Sequence, residues 1–151
     1  MVKRNAILAT AAAAVSFASF SFGDDIAYVQ HIKPVFDVHC AACHGSSNPE
    51  YPLFKQEKEK WLAAGQGMRM DTYSHLVFFT AWPDTGALMR RLDDGKSAKD
   101  GKPGNMYRHL GATEAERQKN LGLFKGWVGA WVVKRWPDIS KDEMNGIRVK
   151  Y

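Results

Sequence analysis

The stretch DVHCAACHGS, residues 37–46, contains both cysteines of this 151-residue chain, separated by two alanines and followed directly by a histidine. Three chemistries use a Cys-x-x-Cys pair: attachment of a prosthetic group through both sulfurs, dithiol–disulfide exchange, and half of a zinc site. Each of them needs a different context, so the surrounding sequence decides between them.

The context speaks against zinc and against dithiol exchange. A structural zinc site needs four ligands, usually from a second cysteine pair or a closely spaced histidine pair. The chain has no further cysteine, and its other histidines are scattered, at His31, His39, His75 and His109. A thioredoxin-like dithiol needs a βαβ context, whereas no alternating strand pattern surrounds residue 40. A disulfide between Cys40 and Cys43 would close too short a loop to stabilise a fold.

The spacing of the motif suits a flat ligand with two attachment points. On a helix, Cys40 and Cys43 face the same side, and His44 lies one turn beyond Cys40. Two thiols so placed can form thioethers with the two vinyl groups of a haem, with the His44 imidazole beneath the iron as proximal ligand. C-x-x-C-H is the attachment signature of c-type haem. We therefore predict one covalently bound haem c.

The first 23 residues have the pattern of a secretory signal peptide. Lys3 and Arg4 precede a short apolar run, residues 6–22, and small residues stand at the −3 and −1 positions of a cleavage site that ends in Gly23. The run is short and serine-rich for a membrane anchor, which needs about 20 apolar residues. We predict cleavage near Gly23 and export to the periplasm, which leaves a mature domain, residues 24–151, without a membrane span.

The charge of the chain excludes a nucleic-acid partner. Loss of Lys3 and Arg4 with the signal peptide lowers the formal net charge from +5 to +3. The remaining positive charges alternate with acids and form no basic block, which is typical of a solvated surface. The small surplus modestly favours acidic partners.

Periodicity and capping residues predict an all-α fold of short helices without strands. A turn or short helix is expected over residues 25–31. The helix that carries the motif begins at Pro34, and Gly45 is expected to end it in a left-handed conformation. Further helices are predicted over residues 53–64, closed by Gly65, then from Asp71-Thr72, and then from Asp84-Thr85.

The clearest helix begins at Thr113, which forms a capping box with Glu116. Its apolar face comprises Leu121, Phe124, Trp127, Val128 and Trp131, and Pro137 is expected to stop it. Three glycines, at positions 122, 126 and 129, each lower helix propensity by about 1 kcal/mol, which suggests close approach of another helix or of a large flat group. Residues 93–105 read as a polar loop, and residues 138–151 as a polar tail.

The second axial ligand of the iron separates an electron carrier from a haem that binds small molecules. Met106 is the leading candidate, because it is an isolated apolar residue at the end of the polar loop and belongs to no helical period. Met89 is most simply core filling, and Met144 lies in the polar tail. Other candidates stay open at this point, namely Met68, Met70, His75 and His109.

These stretches together resemble the monohaem class I c-type cytochromes. The resemblance runs from about Ile32 to Trp131, on the segments HIKPVFDVHCAACHG, MRMDTYSHLV, TGALMRRL, GNMYRHLGATEAE and LFKGWV. A narrower resemblance is to the periplasmic monohaem shuttles of iron(II)-oxidising bacteria. The family implies a small all-α fold of several short helices around one covalently bound haem.

The family also implies roles for individual residues. Cys40 and Cys43 would hold the haem, His44 would be the proximal ligand and Met106 the distal ligand. Trp127 would pack the terminal helix against the haem helix. The extra length of residues 46–66 is expected to add a helix over a haem edge or at a docking face.

The function implied is electron transfer without substrate chemistry, in a monomer that docks on other cytochromes or oxidoreductases. Lys96, Lys99 and Lys102 are candidates for docking on acidic partners, or simply keep their loop soluble. Two alternatives remain. One is a five-coordinate haem protein for gas sensing or peroxide chemistry, which would use a pair such as His75 and Arg69. The other is a cytochrome subunit of a larger oxidoreductase.

Overall fold

The computed structural model describes residues 26–151, so the signal peptide expected over residues 1–23 lies outside it. Within the described residues the chain is helical, and its one β-type pairing is an isolated antiparallel bridge between Gly129 and Ile147. This confirms the predicted all-α class. No helix in this part of the chain is long and apolar enough to cross a membrane.

The haem-motif region consists of two short helices joined at Cys40. A π-helical turn, Tyr28–Ile32, leads into α1, Lys33–His39, with Pro34 in its first turn, and α2 spans Ala41–His44. The expected end at Gly45 is confirmed in position and wrong in conformation. Gly45 has φ −77° and ψ −172°, an extended geometry that is open to any residue.

The middle of the chain forms four further helices close to the predicted positions. Residues 53–64 are divided into α3, Tyr51–Gln56, and α4, Lys58–Ala63, with Gly65 following at φ +69°. Helix α5 spans Tyr73–Thr80, and the side chain of its N-cap residue, Thr72, accepts a hydrogen bond from the backbone N–H of His75. Helix α6 spans Ala87–Leu92.

Helix α7, Glu114–Val128, begins as predicted and ends earlier than predicted. The Thr113 side chain accepts a hydrogen bond from the N–H of Glu116, whose carboxylate accepts from Ala112. Pro137 does not stop the helix. Gly129 ends it at φ +80°, a region in which glycine alone is unstrained. Trp131 therefore lies outside the helix, and its indole donates to Asp93 at 2.8 Å.

Gly122, inside α7, is not explained by a neighbouring helix. A Cβ built at Gly122 would meet no protein atom within 4 Å. Of the two expected reasons for this glycine, close approach of another helix is therefore wrong, and close approach of a large flat group stays a prediction.

A core of apolar side chains joins α1, α5, α6 and α7. Trp127 and Phe124 of α7 are each 1% exposed. The Trp127 ring lies 6.3 Å from that of Tyr28 and 6.4 Å from that of Tyr73, measured between ring centroids. Helix α7 thus packs on the turn that leads into the haem motif.

Residues 139–151, predicted from the sequence to belong to a polar tail over residues 138–151, instead close this core. Helix α8 spans Lys141–Asn145 and carries a complete capping box of Ser140 and Glu143. The carbonyl of Lys150 accepts hydrogen bonds from the Tyr28 N–H at 3.0 Å and the Trp127 indole at 2.7 Å. Buried Val149 has φ 42°, a strained conformation for a β-branched residue. Its backbone is held by hydrogen bonds to Trp127 and to the Tyr73 hydroxyl.

The loop 93–105 is irregular, as expected, and is anchored by two acids. Asp93, 1% exposed, accepts from Trp131 and from the backbone N–H groups of Gly95 and Ser97. Burial opposes ionisation of Asp94, but the Lys96 ammonium at 2.8 Å and the Gln118 amide at 3.1 Å outweigh it and lower the pKa of Asp94 to about 2. Lys96 is therefore engaged with Asp94.

The end of α7 at Gly129 generates a stability prediction. In Gly129→Ala the new Cβ would stand 2.6 Å from the Gly146 carbonyl oxygen at a φ of +80°. We expect the free energy of unfolding to fall by more than about 1 kcal/mol, as measured by urea denaturation of the haem-loaded protein. Gly101→Ala is the matched control, because Gly101 has φ +67° with nothing within 4 Å. Equal losses in the two variants would contradict the steric explanation.

The pKa of Asp94 generates a pH prediction. A carboxyl whose pKa is lower in the folded state than in the unfolded state stabilises the fold above its unfolded value, near pH 4, and this contribution disappears as the pH falls through the folded value. We expect Asp94→Asn to flatten the fall in stability between about pH 4 and pH 2, as measured by thermal denaturation across that range. Asp100→Asn serves as control, since the Asp100 side chain accepts only from the Lys102 N–H. An unchanged slope in Asp94→Asn would refute the assignment.

Candidate haem site

The two cysteines and His44 lie on one helical turn. The N–H groups of Cys43 and His44 both donate to the Cys40 carbonyl, at 3.1 and 2.9 Å. The three side chains are therefore placed at the i, i+3 and i+4 spacing that the sequence predicts. Both cysteines are free thiols, with Cys40 half-buried and Cys43 exposed.

The chemistry of the thiols is unlike that of an exchange dithiol. Burial, together with the neighbouring Cys43, raises the pKa of the Cys40 thiol to about 12. Exchange depends on the thiolate form, and redox-active cysteines have lowered pKa values. Nor do residues 26–151 contain a group of three or more His, Cys, Asp or Glu side chains that could hold a metal ion.

The His44 ring is oriented by a backbone carbonyl. Its Nδ1 donates to the carbonyl oxygen of Met68 at 2.7 Å, since a carbonyl can only accept. The proton is thereby fixed on Nδ1, and the lone pair of Nε2 is left for a metal. Burial lowers the pKa of His44, the Met68 bond opposes this, and the nearby charge of His109 lowers the pKa further. The neutral form, which is the one that ligates iron, is favoured.

Residues 67–70 run alongside the motif and are tied to it by their backbone. The Gly67 N–H donates to the Cys43 carbonyl and the Met70 N–H to the His44 carbonyl, both at 2.8 Å. Gly67 lies against the imidazole itself, because a Cβ added there would stand 2.2 Å from His44 Cε1. This segment, residues 67–70, is called the proximal segment below.

The methionines take distinct positions. Met89 is fully buried, and its sulfur accepts from the Val132 N–H at 3.0 Å, so the prediction of core filling is confirmed. Met68 and Met70 belong to the proximal segment, and Met70 is buried in the core. Met144 lies in α8.

Met106 is set on a separate, anchored segment. Its N–H donates to the Arg91 carbonyl at the end of α6 at 2.9 Å, and its carbonyl accepts from the His109 N–H at 3.0 Å. Gly104 lies so close to α6 that an added Cβ would stand 2.3 Å from the carbonyl oxygens of Arg90 and Arg91. The side chain of Met106 is half-buried against the core. His109, one turn later, is near enough to influence His44 electrostatically.

Arg69 and His75, the pair that peroxide chemistry would need, are engaged elsewhere. Arg69 donates to Asp71 at 2.7 Å and to Glu50 at 3.0 Å. The two ring nitrogens of His75 lie 3.4 Å from Asp71 and 3.3 Å from Glu50. These four side chains form an ion-pair cluster between the start of α3, the proximal segment and α5.

The residues present fit a covalently bound haem. Such a haem needs two free thiols on one face, a neutral imidazole with Nε2 available, and an ordered hydrogen bond at Nδ1 to hold the ring. Cys40, Cys43 and His44 meet all three requirements.

Two contributors to the site escaped the sequence interpretation. The acceptor for His44 is a backbone carbonyl, which every residue possesses, so no residue type signals it. Gly67 carried a usable signal, because a glycine without a helix or turn to end often marks a close approach of backbone to another group.

Comparison with known proteins identifies relatives of the chain. Residues 27–151 match the family model for PccH cytochrome c. The solved structure of monohaem cytochrome PccH from Geobacter sulfurreducens is 69% identical to the chain, with a TM-score of 0.78, and the match covers 85% of this chain and 100% of that one. No curated protein sequence matches the chain significantly.

Both matches extend over nearly all of the described residues, and they confirm the predicted family, fold and cofactor. The chain therefore belongs to the PccH cytochrome c family: it is a monohaem c-type cytochrome with one covalently bound haem c, an electron carrier and not an enzyme.

Proposed function

We propose that the chain is a periplasmic electron carrier in which Cys40 and Cys43 attach the haem, His44 is the proximal ligand and Met106 the distal ligand. A bound haem supplies one-electron chemistry at its iron. With His44 and Met106 as ligands, the chain's own residues would occupy both axial positions and leave none open for a substrate, and the buried α7 aromatics would limit access of water.

The observation that carries this proposal is the hydrogen bond from His44 Nδ1 to the Met68 carbonyl. It supports assigning the proximal segment to the His44 side of the site. Met68 and Met70 are thereby less suited to the opposite side, since their backbone is tied to the motif. Met106, on a different segment anchored to α6, is the methionine left for the distal position.

The alternative of peroxide or gas chemistry is less well supported. Arg69 donates to Glu50 and Asp71, and the His75 ring lies 3.3 and 3.4 Å from the same two carboxylates, so both side chains face these acids and not a distal ligand. Methionine ligation raises the reduction potential relative to a bis-histidine haem, which suits transfer between redox proteins. Export rests on the signal-peptide pattern of residues 1–23, and redox partner proteins are expected in the same compartment.

The distal ligand can be tested by spectroscopy. We expect Met106→Ala to abolish the weak long-wavelength absorption band of ferric iron–methionine ligation and to make the ferrous protein bind carbon monoxide readily. Met68→Ala and Met70→Ala are the controls and should retain the band. His109→Ala should also retain it, because His109 is a neighbour of the site and not the ligand. Retention of the band in Met106→Ala, or prompt carbon monoxide binding by the unmutated protein, would exclude the proposed ligation.

Attachment and export can be tested by mass spectrometry of protein recovered from the periplasm of a host that attaches c-type haem. We expect a chain that begins at Asp24 and carries the mass of one haem. Loss of both thiols in Cys40→Ala/Cys43→Ala should leave no haem that survives acid–acetone extraction. A covalent haem in the double variant would refute the assignment of the thioethers.

A further inference from the structure

Two buried side-chain nitrogens in residues 26–151 have no hydrogen-bond partner, Trp61 Nε1 and His75 Nδ1. His75 Nδ1 still has the Asp71 carboxylate 3.4 Å away. No acceptor of residues 26–151 makes a hydrogen bond with Trp61 Nε1. A buried N–H without an acceptor costs about 1–3 kcal/mol, so a partner from outside the polypeptide is indicated.

The other four tryptophans show that Trp61 is the exception. Trp127 donates to the Lys150 carbonyl at 2.7 Å, and Trp131 donates to Asp93 at 2.8 Å. Trp82 and Trp136 are 62% and 48% exposed, so water can satisfy their indoles. Of the five tryptophans in the chain, Trp61 alone combines a buried indole nitrogen with no acceptor.

The backbone of Trp61 is tied to the segment that touches the proximal ligand. Trp61 lies in α4, and its carbonyl accepts from the Gln66 N–H at 2.9 Å. The next residue, Gly67, touches the His44 imidazole. The Trp61 backbone is thus hydrogen-bonded to Gln66. Gln66 is adjacent in sequence to Gly67, the residue that contacts the proximal ligand, and consecutive Cα atoms lie about 3.8 Å apart.

An anionic acceptor is the best partner for the Trp61 N–H. An indole N–H donates and cannot accept, and hydrogen bonds to carboxylates are roughly twice as strong as those to neutral acceptors. The ring of Trp61 also has the Lys60 ammonium 4.7 Å from its centroid, which adds positive charge at this place. A haem carries two propionate carboxylates at its edge, and both need donors.

We propose that Trp61 Nε1 donates a hydrogen bond to a propionate of the bound haem and so holds the extra segment, residues 46–66, over that edge. This inference rests on covalent attachment at the C-x-x-C-H motif. It is independent of Met106, because the distal ligand plays no part in it.

The proposed hydrogen bond affects both the pKa of the propionate and the midpoint potential of the haem. A donor stabilises the ionised propionate and lowers its pKa. The N–H dipole also offsets part of the negative charge of the propionate, and that charge stabilises ferric over ferrous iron. In Trp61→Phe, which keeps the ring and removes the N–H, the midpoint potential at neutral pH should fall. The pH range over which the potential depends on propionate ionisation should move upward.

The test uses the ¹⁵N-labelled haem-loaded protein. We expect the Trp61 indole N–H signal to exchange slowly with solvent, like those of Trp127 and Trp131, and to shift with pH at the same midpoint as the propionate methylene protons. Trp61→Phe should lower the midpoint potential, while Trp136→Phe, a matched change at an exposed indole, should leave it unchanged.

Three results would overturn the proposal. One is a Trp61 N–H that exchanges as fast as that of Trp82, which would show that it faces solvent. Another is a protected N–H that does not titrate with a propionate, which would assign the partner as a trapped water. The third is equal potentials in Trp61→Phe and the unmutated protein. The exchange and titration measurements need no variant, so a poorly folding Trp61→Phe does not remove the test.

Discussion

The hydrogen bond between His44 Nδ1 and the Met68 carbonyl is the constraint on which the rest of the site depends. It selects the tautomer of the imidazole, and it requires the proximal segment to run beside the motif. That path is possible because Gly67 has no side chain to collide with the ring. Two backbone hydrogen bonds, from Gly67 to Cys43 and from Met70 to His44, then keep the segment in register.

The same constraint places the proximal segment beside His44. The proximal segment leads directly into Thr72 and α5, so α5 is oriented by the motif. The loop that carries Met106, the distal ligand proposed above, is bound to the end of α6 through the carbonyl of Arg91. Helix α7 packs on the turn before the motif through Trp127 and Tyr28. His44 lies in α2 and Met106 is bound to the end of α6, so the two proposed axial ligands are supported by different helices.

The sequence predicted well those features that depend on the identity of a side chain. The C-x-x-C-H spacing predicted the shared face of Cys40, Cys43 and His44, and Thr113 and Thr72 predicted the starts of two helices, because capping depends on a particular hydroxyl. The wrong or missed predictions concern backbone conformation and backbone hydrogen bonds. The end of α7 was assigned to Pro137 although Gly129 ends it, since the competing glycines at positions 122 and 126 lie inside the helix and have the same appearance in the sequence. Met68 orients His44 through its backbone carbonyl, which no residue type in the sequence can indicate.

The contacts of Lys150 link the fold to the order in which the chain is made. Its carbonyl joins the turn before the motif to α7, yet Lys150 follows Cys43 by most of the domain's length. Chains are synthesised and exported from the N-terminus, and a domain completes its core only when all of its segments are present. The motif cysteines therefore emerge long before the segment that closes the core over Tyr28 and Trp127. In the exported chain proposed above, both thiols would thus be accessible for haem attachment before the core closes.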